Sequence, residues 1–312
     1  MKIGILGSTG FVGKNLCARL DELGISYVNG SRKLEFNEYV DAMFLSSIIS
    51  WIVENKIDTI VNLSAHCGGI GLNKNYPFEL WYNNTLMSAN VLYACKKMNL
   101  KAIMVGTVCS YAAECPTPFK EEYLMNYGFP EPTNRAYGVT KLNSLVGAQA
   151  LNKEYGINIV NLIPVNMYGP HDNFNLESSH VIPAIIKKLM IAKKLNHDHV
   201  SIWGDGNASR EFLYVADFCD AIVKSLQINS SEFINVGTGV ETKIKDLVYM
   251  INNHINYDGD IRWSSDLPNG QMKRCLDTTK AKVILNWNFR TNLKSGLKKT
   301  IDWLWRQDEI IF

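Results

Sequence analysis

The chain lacks a long apolar run, a surplus of either charge and any paired cysteines, and each lack removes a class of function. Its 312 residues carry 32 basic against 30 acidic side chains, a formal net charge of +2. The electrostatic footprint of a nucleic-acid-binding protein is therefore missing, and no nucleic-acid partner is expected. No stretch approaches the ~20 apolar residues of a membrane span. Met1-Lys2-Ile3-Gly4 runs at once into a strand pattern and does not read as a signal peptide. The seven cysteines are scattered, without a C-x-x-C pair or zinc spacing. No metal site is expected, and an odd, dispersed set fits reduced thiols in a cytoplasmic protein, most of them small buried hydrophobes. Internal repeats, low-complexity stretches and long linkers are also missing. What is present is a hydrophobic fraction of 46%. That is enough for one large α/β domain or two modest ones.

The start of the chain carries the first positive signal. Lys2-Ile3-Gly4-Ile5-Leu6 is a short apolar strand, Gly7-x-x-Gly10-x-x-Gly13 follows it, and a helical pattern continues through Leu16, Leu20 and Leu23. Strand, glycine turn and helix in that order are the context a dinucleotide fingerprint requires. Gly7 permits the tight turn, Gly10 lets backbone approach a pyrophosphate, and Gly13 lets the helix pack on the strand. The helix N-terminus then offers free N–H groups and a positive dipole end to phosphate.

Strand and helix patterns alternate onward. Strands are read over 25–29, 59–63, 102–106 and 157–163, with helices over 14–22, 40–54, 79–98 and 135–155. Such alternation implies a Rossmann-like, doubly wound parallel sheet with right-handed crossovers and ligands at the carboxyl ends of the strands. After Pro164 the texture changes. Residues 166–173 read as a turn-rich loop, 180–194 as helix, 201–203 and 210–214 as strands, 217–227 as helix, 233–237 as strand and 293–306 as helix. The expected organisation is a nucleotide domain over 1–165 plus about 212–237, and a smaller C-terminal α/β substrate lobe over about 166–211 plus 238–312.

Tyr137 and Lys141 stand four apart in Ala136-Tyr137-Gly138-Val139-Thr140-Lys141, so on a helix they share a face. A phenol with an ordinary pKa of about 10 exchanges protons poorly near neutrality. An ammonium one turn away is expected to lower that value and suit the pair to proton exchange with a carbonyl or alcohol oxygen. The end of the second strand bears on the cofactor. It runs into Asn29-Gly30-Ser31-Arg32-Lys33, with no acid for a ribose 2′-hydroxyl and with Arg32 for a 2′-phosphate. The expected cofactor is NADPH/NADP+.

Together, the glycine triplet, Thr107 at a strand end, Tyr137-x-x-x-Lys141 and Arg210-Glu211-Phe212 resemble the extended short-chain dehydrogenase/reductases. Four segments narrow the resemblance: Cys67-Gly68-Gly69-Ile70, Glu131 to Gly138, Tyr168-Gly169-Pro170-His171-Asp172-Asn173-Phe174, and Ser179 to Ala184. They are similar to the GDP-L-fucose synthases, which act on GDP-4-keto-6-deoxy-mannose, and to related bacterial reductases of GDP-4-keto-6-deoxy-heptoses. The similarity spans nearly the whole chain.

The resemblance implies NADPH-dependent reduction of a sugar C4 ketone. Tyr137 would protonate the forming alkoxide, Lys141 would hold the nicotinamide ribose, and Thr107 would hydrogen-bond the ketone oxygen where the family usually has Ser. Cys109 and His180 match the pair that epimerises C3 and C5. The surroundings depart, with Thr107-Val108-Cys109-Ser110-Tyr111-Ala112 where the family shows Ser-Ser-Cys-Ile-Tyr-Pro. A bifunctional epimerase/reductase and a dedicated C4 reductase both stay open. Gly7, Thr9, Gly10, Phe11, Val12, Gly13, Arg32, Leu63, Ser64, Ala65, Lys141, Pro164 and His180 fall at the family's cofactor positions. Asn166, Lys188, Trp203, Arg210 and Arg274 fall at contacts to the GDP-sugar, with Lys188 where the family tends to have Arg. The helices over 79–98 and 135–155 match those through which the family forms homodimers. Their apolar residues Leu86, Val91, Leu92 and Val146 could equally pack on the sheet.

Related activities are disfavoured. A dehydratase follows its strand-end Thr with Asp-Glu, and here Val108 and Cys109 stand there. A 4-epimerase usually has an acid after the second strand, which is absent. A cofactor-sensing module commonly loses the Tyr or the Lys, and this chain keeps both.

Overall fold

The structure is a computed structural model, and it describes residues 1–32, 39–264 and 273–307. The first half alternates β1 (Ile3–Leu6), α1 (Phe11–Glu22), β2 (Tyr27–Gly30), α2 (Leu45–Asn55), β3 (Thr59–Asn62), α3 (Ile70–Asn75), α4 (Pro77–Met98), β4 (Lys101–Val105), α5 (Arg135–Tyr155) and β5 (Ile159–Pro164). There follow β6 (Asn166–Tyr168), α6 (Val181–Lys194), β7 (His199–Trp203), β8 (Ser209–Tyr214), α7 (Val215–Ser225) and β9 (Glu232–Val236). The chain continues with β10 (Glu241–Lys243), α8 (Ile244–Ile255), β11 (Asp260–Ser264), α9 (Thr279–Ile284) and α10 (Leu293–Trp305). Among the described residues no helix is long and apolar enough to cross a membrane.

Six strands form one parallel sheet in the order β2-β1-β3-β4-β5-β9. Strands β1, β3 and β5 are buried along their whole length, which is why they read as continuous apolar runs. Helices cover both faces. Leu16 and Leu20 of α1 pack with Phe218, Cys219 and Ile222 of α7 on one side. Ile48, Trp51 and Ile52 of α2, Val91 and Leu92 of α4, and Ala148 and Leu151 of α5 fill the other. The chain direction across the sheet reverses between β1 and β3. In a doubly wound fold that switch point is where a ligand binds.

A second core gathers Ile185, Ile186 and Leu189 of α6, Leu247 and Ile251 of α8, and Leu297 and Ile301 of α10. Two small sheets frame it, β10-β8-β6 and β11-β7. Strand β8 serves both cores. Leu213 faces the first, while Phe212 and Tyr214 face the second. The expected domain boundary at 212 therefore falls inside a strand that pairs with β6 and β10.

Two local expectations are corrected. The helix read over 40–54 begins at Leu45, because Val40 donates its N–H to Ser31 and is drawn beside the end of β2. The loop read over 166–173 opens with β6, whose three residues pair with Phe212, Leu213 and Tyr214.

Candidate active site

At the switch point the ends of β1, β2 and β3 converge. Gly7 takes φ +82, the left-handed region that glycine enters without strain. A Cβ there would stand 2.9 Å from the Leu63 carbonyl carbon and 3.0 Å from the Ser64 nitrogen. Its N–H donates to the Gly30 carbonyl at 2.8 Å, and the Leu63 N–H donates to Leu6 at 2.9 Å. Ser64 is fixed in turn by Asn62 Oδ1, which accepts its backbone N–H at 3.1 Å, and Ala65 follows, exposed. A side chain at Gly13 would drive into the Gly7 carbonyl and Ser8.

Helix α1 then starts at Phe11 with no side-chain cap and no acid in its first turn. The N–H groups of Phe11 and Val12 are left to an external acceptor at the positive end of the helix dipole. Beside it, Thr9 Oγ1 and Ser31 Oγ lie 2.9 Å apart. Arg32 follows, exposed. Lys33 lies outside the described residues.

The candidate reacting groups come from the ends of β4 and α5. Thr107 caps a single 3-10 turn over Val108–Ser110, and its Oγ1 accepts the Cys109 N–H at 3.2 Å. Helix α5 rests on this turn. Ser110 Oγ donates to the Gly138 carbonyl at 3.0 Å, and a side chain at Gly138 would drive into the Cys109 carbonyl. Only glycine after Tyr137 lets the helix approach so closely. Tyr137 is thereby set beside the turn that carries Thr107 and Cys109.

Lys141 lies one turn on, 6% exposed, with its Nζ 6.0 Å from the Tyr137 ring centroid. Among the described residues its ammonium has no hydrogen-bond partner. Burial pulls its pKa below the usual lysine range. Burial also pushes Tyr137 well above an ordinary phenol, with Cys67 and Cys109 adding to the rise. This corrects the expectation that Lys141 lowers the tyrosine. Both groups are desolvated, and that effect outweighs one cation across the ring. Tyr137 is thus a phenol that keeps its proton until a strong base, such as an alkoxide, forms beside it.

Cys109 Sγ accepts a hydrogen bond from Arg274 Nη1 at 3.3 Å. His180 is the N-cap of α6. It is reached through a close meeting of two loops. Gly69 donates to the Ser178 carbonyl at 2.9 Å, and a side chain at Gly69 would run into the Ser179 carbonyl. The imidazole opens to solvent at the rim, yet enough protein surrounds it to pull its pKa below the usual histidine value.

The remaining expected residues fall into two groups. Asn166 Nδ2 donates to the Glu211 carbonyl at 3.2 Å, next to β8, and Pro164 closes β5. Arg210 Nη1 donates to the Ser209 carbonyl at 2.7 Å. Burial and the neighbouring Arg274 pull its pKa down, while Cys109 and Glu131 counter them. Arg210, Arg274 and Cys109 therefore form one cluster. Lys188 and Trp203 form another: Lys188 Nζ donates to the Ser201 carbonyl at 3.0 Å and lies 5.6 Å from the Trp203 ring centroid. Trp203 is 57% exposed, an open aromatic face.

Four residues join the site that sequence reasoning did not assign. Ser31 pairs with Thr9. Cys67 is exposed rather than a buried hydrophobe; Lys141 and Asp172 act on it electrostatically. Asp172 has its carboxyl pushed up to about 7 by burial, and its Oδ2 has no hydrogen-bond partner among the described residues. Glu131 is held below the ordinary carboxylate range against burial by hydrogen bonds from Thr133 and Asn134. Cys67, Glu131 and Asp172 sit inside the very segments that carry the resemblance, which was the available signal.

The residues fit a dinucleotide. Gly7 and Gly13 leave no room for side chains, α1 starts without a side-chain cap, and among the described residues the Lys141 ammonium has no hydrogen-bond partner. The comparisons agree. The model of the NAD dependent epimerase/dehydratase family matches residues 3–237. A putative GDP-L-fucose synthase 2 from Arabidopsis thaliana is 31% identical over 304 residues, covering 97% of this chain and 91% of that protein. The structure of a GDP-6-OMe-4-keto-L-xylo-heptose reductase from C. jejuni superposes with a TM-score of 0.89 at 25% identity, covering 98% of each chain. That of a GDP-mannoheptose C4 reductase from Campylobacter jejuni with NADP bound gives 0.86 at 26%, covering 97% of this chain and 98% of that one. Fold, glycine cradle, Tyr–Lys pair and these matches lead to one conclusion: the chain belongs to the NAD dependent epimerase/dehydratase family.

Proposed function

We propose that the chain is an NADPH-dependent oxidoreductase that reduces the C4 ketone of a GDP-linked 4-keto-6-deoxy sugar, hexose or heptose. One observation carries the reading. Thr107, Tyr137 and a buried Lys141, whose ammonium has no hydrogen-bond partner among the described residues, come together at the carboxyl ends of a parallel sheet beside a glycine cradle. The names of the relatives support the substrate class.

Thr107 and Tyr137 direct hydroxyl groups at the ketone oxygen. NADPH, when bound, supplies the hydride to C4. Tyr137 delivers its proton to the oxygen as the alkoxide forms. Lys141 finds its hydrogen-bond acceptors in the ribose hydroxyls. The α1 N-terminus receives the pyrophosphate, and Thr9, Ser31 and Arg32 receive the 2′-phosphate. Lys188, Arg210 and Arg274 meet the sugar nucleotide, and Trp203 stacks on its base. Residues 1–165 with about 212–237 form the cofactor domain, and the rest forms the sugar-nucleotide lobe. The protein acts in the cytoplasm as a homodimer through α4 and α5.

Cys109 and His180 further equip the site to epimerise C3 and C5. One observation favours the reductase-only reading: burial pulls the His180 pKa below the usual histidine value, which disfavours the protonated form that a donor on the opposite face uses. Reaction with GDP-4-keto-6-deoxy-mannose and NADPH in D2O, read by NMR, decides. A C4-reduced product supports the reductase, and deuterium at C3 and C5 adds the epimerase. An unreacted ketone with unconsumed NADPH, for the hexose and the heptose alike, overturns the proposal.

A further inference from the structure

Arg274 is not a loose surface cation. It is 8% exposed, and the segment after it is stapled from two directions. Phe119 donates its N–H to the Cys275 carbonyl at 2.8 Å, and Asp277 donates to the Phe119 carbonyl at 2.9 Å. Leu276 donates to the carboxylate of the fully buried Glu211 at 2.7 Å. These contacts deliver the guanidinium to the turn that carries Cys109, where Nη1 meets Sγ at 3.3 Å. A second cation, Arg210, lies close enough to be repelled by Arg274 and attracted by Cys109 and Glu131. Bringing two guanidinium groups together under cover costs free energy unless negative charge faces them. Glu131 supplies some of that charge, and Cys109 is the other acidic group that Arg210 feels.

We infer that Arg274 is the positioning residue for Cys109, fixing its sulfur in the cleft and neutralising the charge that the sulfur carries when it acts as a carbon-acid base. The inference rests on the reading of the cleft as a keto-sugar site. In the step concerned, the thiolate takes the proton from the carbon next to the ketone. An S–H bond forms, the C–H bond breaks, and the electron pair moves to the C4 oxygen as an enolate. The enolate is reprotonated on the other face by His180 in its protonated form. That leaves a thiol and a neutral imidazole, which exchange with solvent to reset. The charged and titratable groups that act on Cys109 are Arg274 and Arg210 as cations and Tyr137 as a protonated phenol, and Glu131 interacts electrostatically with both arginines.

The test is the rate at which Cys109 reacts with iodoacetamide across neutral and mildly alkaline pH, resolved from the other six cysteines by peptide mass spectrometry. Wild type, Arg274→Gln and Arg274→Lys are compared, each first checked for NADPH binding. Arg274→Gln is expected to alkylate ~10-fold more slowly at neutral pH and to recover as pH rises, because the cation that contacts the sulfur is gone. Arg274→Lys is expected to restore part of the rate, and it also serves if the glutamine variant does not fold. Superimposable pH profiles in all three proteins overturn the inference. Deuterium exchange at C3 and C5, measured relative to C4 reduction, gives the second readout. It should fall with Arg274→Gln, and an unchanged ratio also overturns the inference. A profile that shifts in a protein that reduces no keto-sugar leaves the pair standing and fails the substrate reading instead.

Discussion

Tyr137 is a phenol that burial holds in its protonated form, so its contribution is a proton delivered late in the reaction. Tyr137→Phe removes that proton while leaving the ring. It should lower kcat by ~1000-fold with little change in NADPH affinity, since general acid catalysis contributes ~100- to 10,000-fold; stopped-flow kinetics and cofactor titration separate the two. Asp172 gives a stability prediction. Its folded-state pKa is raised by burial from 3.8 to about 7. The folded protein therefore holds a proton that the unfolded chain has lost between those values. The associated stability is full below the unfolded pKa and is lost as pH rises through about 7. Asp172→Asn should raise the melting temperature above that pH and do little in acid; thermal scans across pH check it. At this scale the sequence was informative about residue types and weak about environment. The Tyr137–Lys141 spacing was readable, whereas the burial that reverses the expected tyrosine shift, and the further electrostatic rise from Cys67 and Cys109, come from other elements.

Elements met at their ends are what place these side chains. Helix α5 can lie on the Thr107–Ser110 turn only because Gly138 presents no side chain. Strand β8 is tied to the rest of the lobe by Glu211, whose carboxylate accepts backbone N–H groups of Thr238, Gly239 and Leu276. Glu211→Ala would strip the acceptor from three backbone N–H groups, that of the buried Leu276 among them, and should cost ~2 kcal/mol, read as a lower midpoint in denaturant unfolding. Long periodic elements such as α5 and α6 were legible from apolar spacing. Short ones were not. β6 and β10 have three residues each and owe their existence to pairing with β8. The start of α2 was misplaced because the Val40–Ser31 hydrogen bond is a tertiary contact that no local pattern announces.

Over the whole molecule, the doubly wound sheet brings cofactor cradle, Tyr–Lys pair and Arg–Cys cluster to one edge. Its reading followed from the order of strand and helix signals alone. The second lobe was harder, because its core draws on α6, α8 and α10, which lie far apart in sequence. The proposed homodimer has a local handle. Val91 and Leu92 pack inward against the sheet, whereas Val146 on α5 is 47% exposed. Val146→Glu should convert the dimer to a folded monomer, as light scattering with circular dichroism would report.

The central claim is hydride transfer to C4. The most direct measurement incubates the protein with GDP-4-keto-6-deoxy-mannose, or its heptose counterpart, and NADPH deuterated on the transferable position of the nicotinamide. The account predicts one deuterium at C4 of a GDP-6-deoxy sugar, seen as loss of the C4 proton signal. Unchanged ketone with the label still on the cofactor, for both sugars, would contradict it.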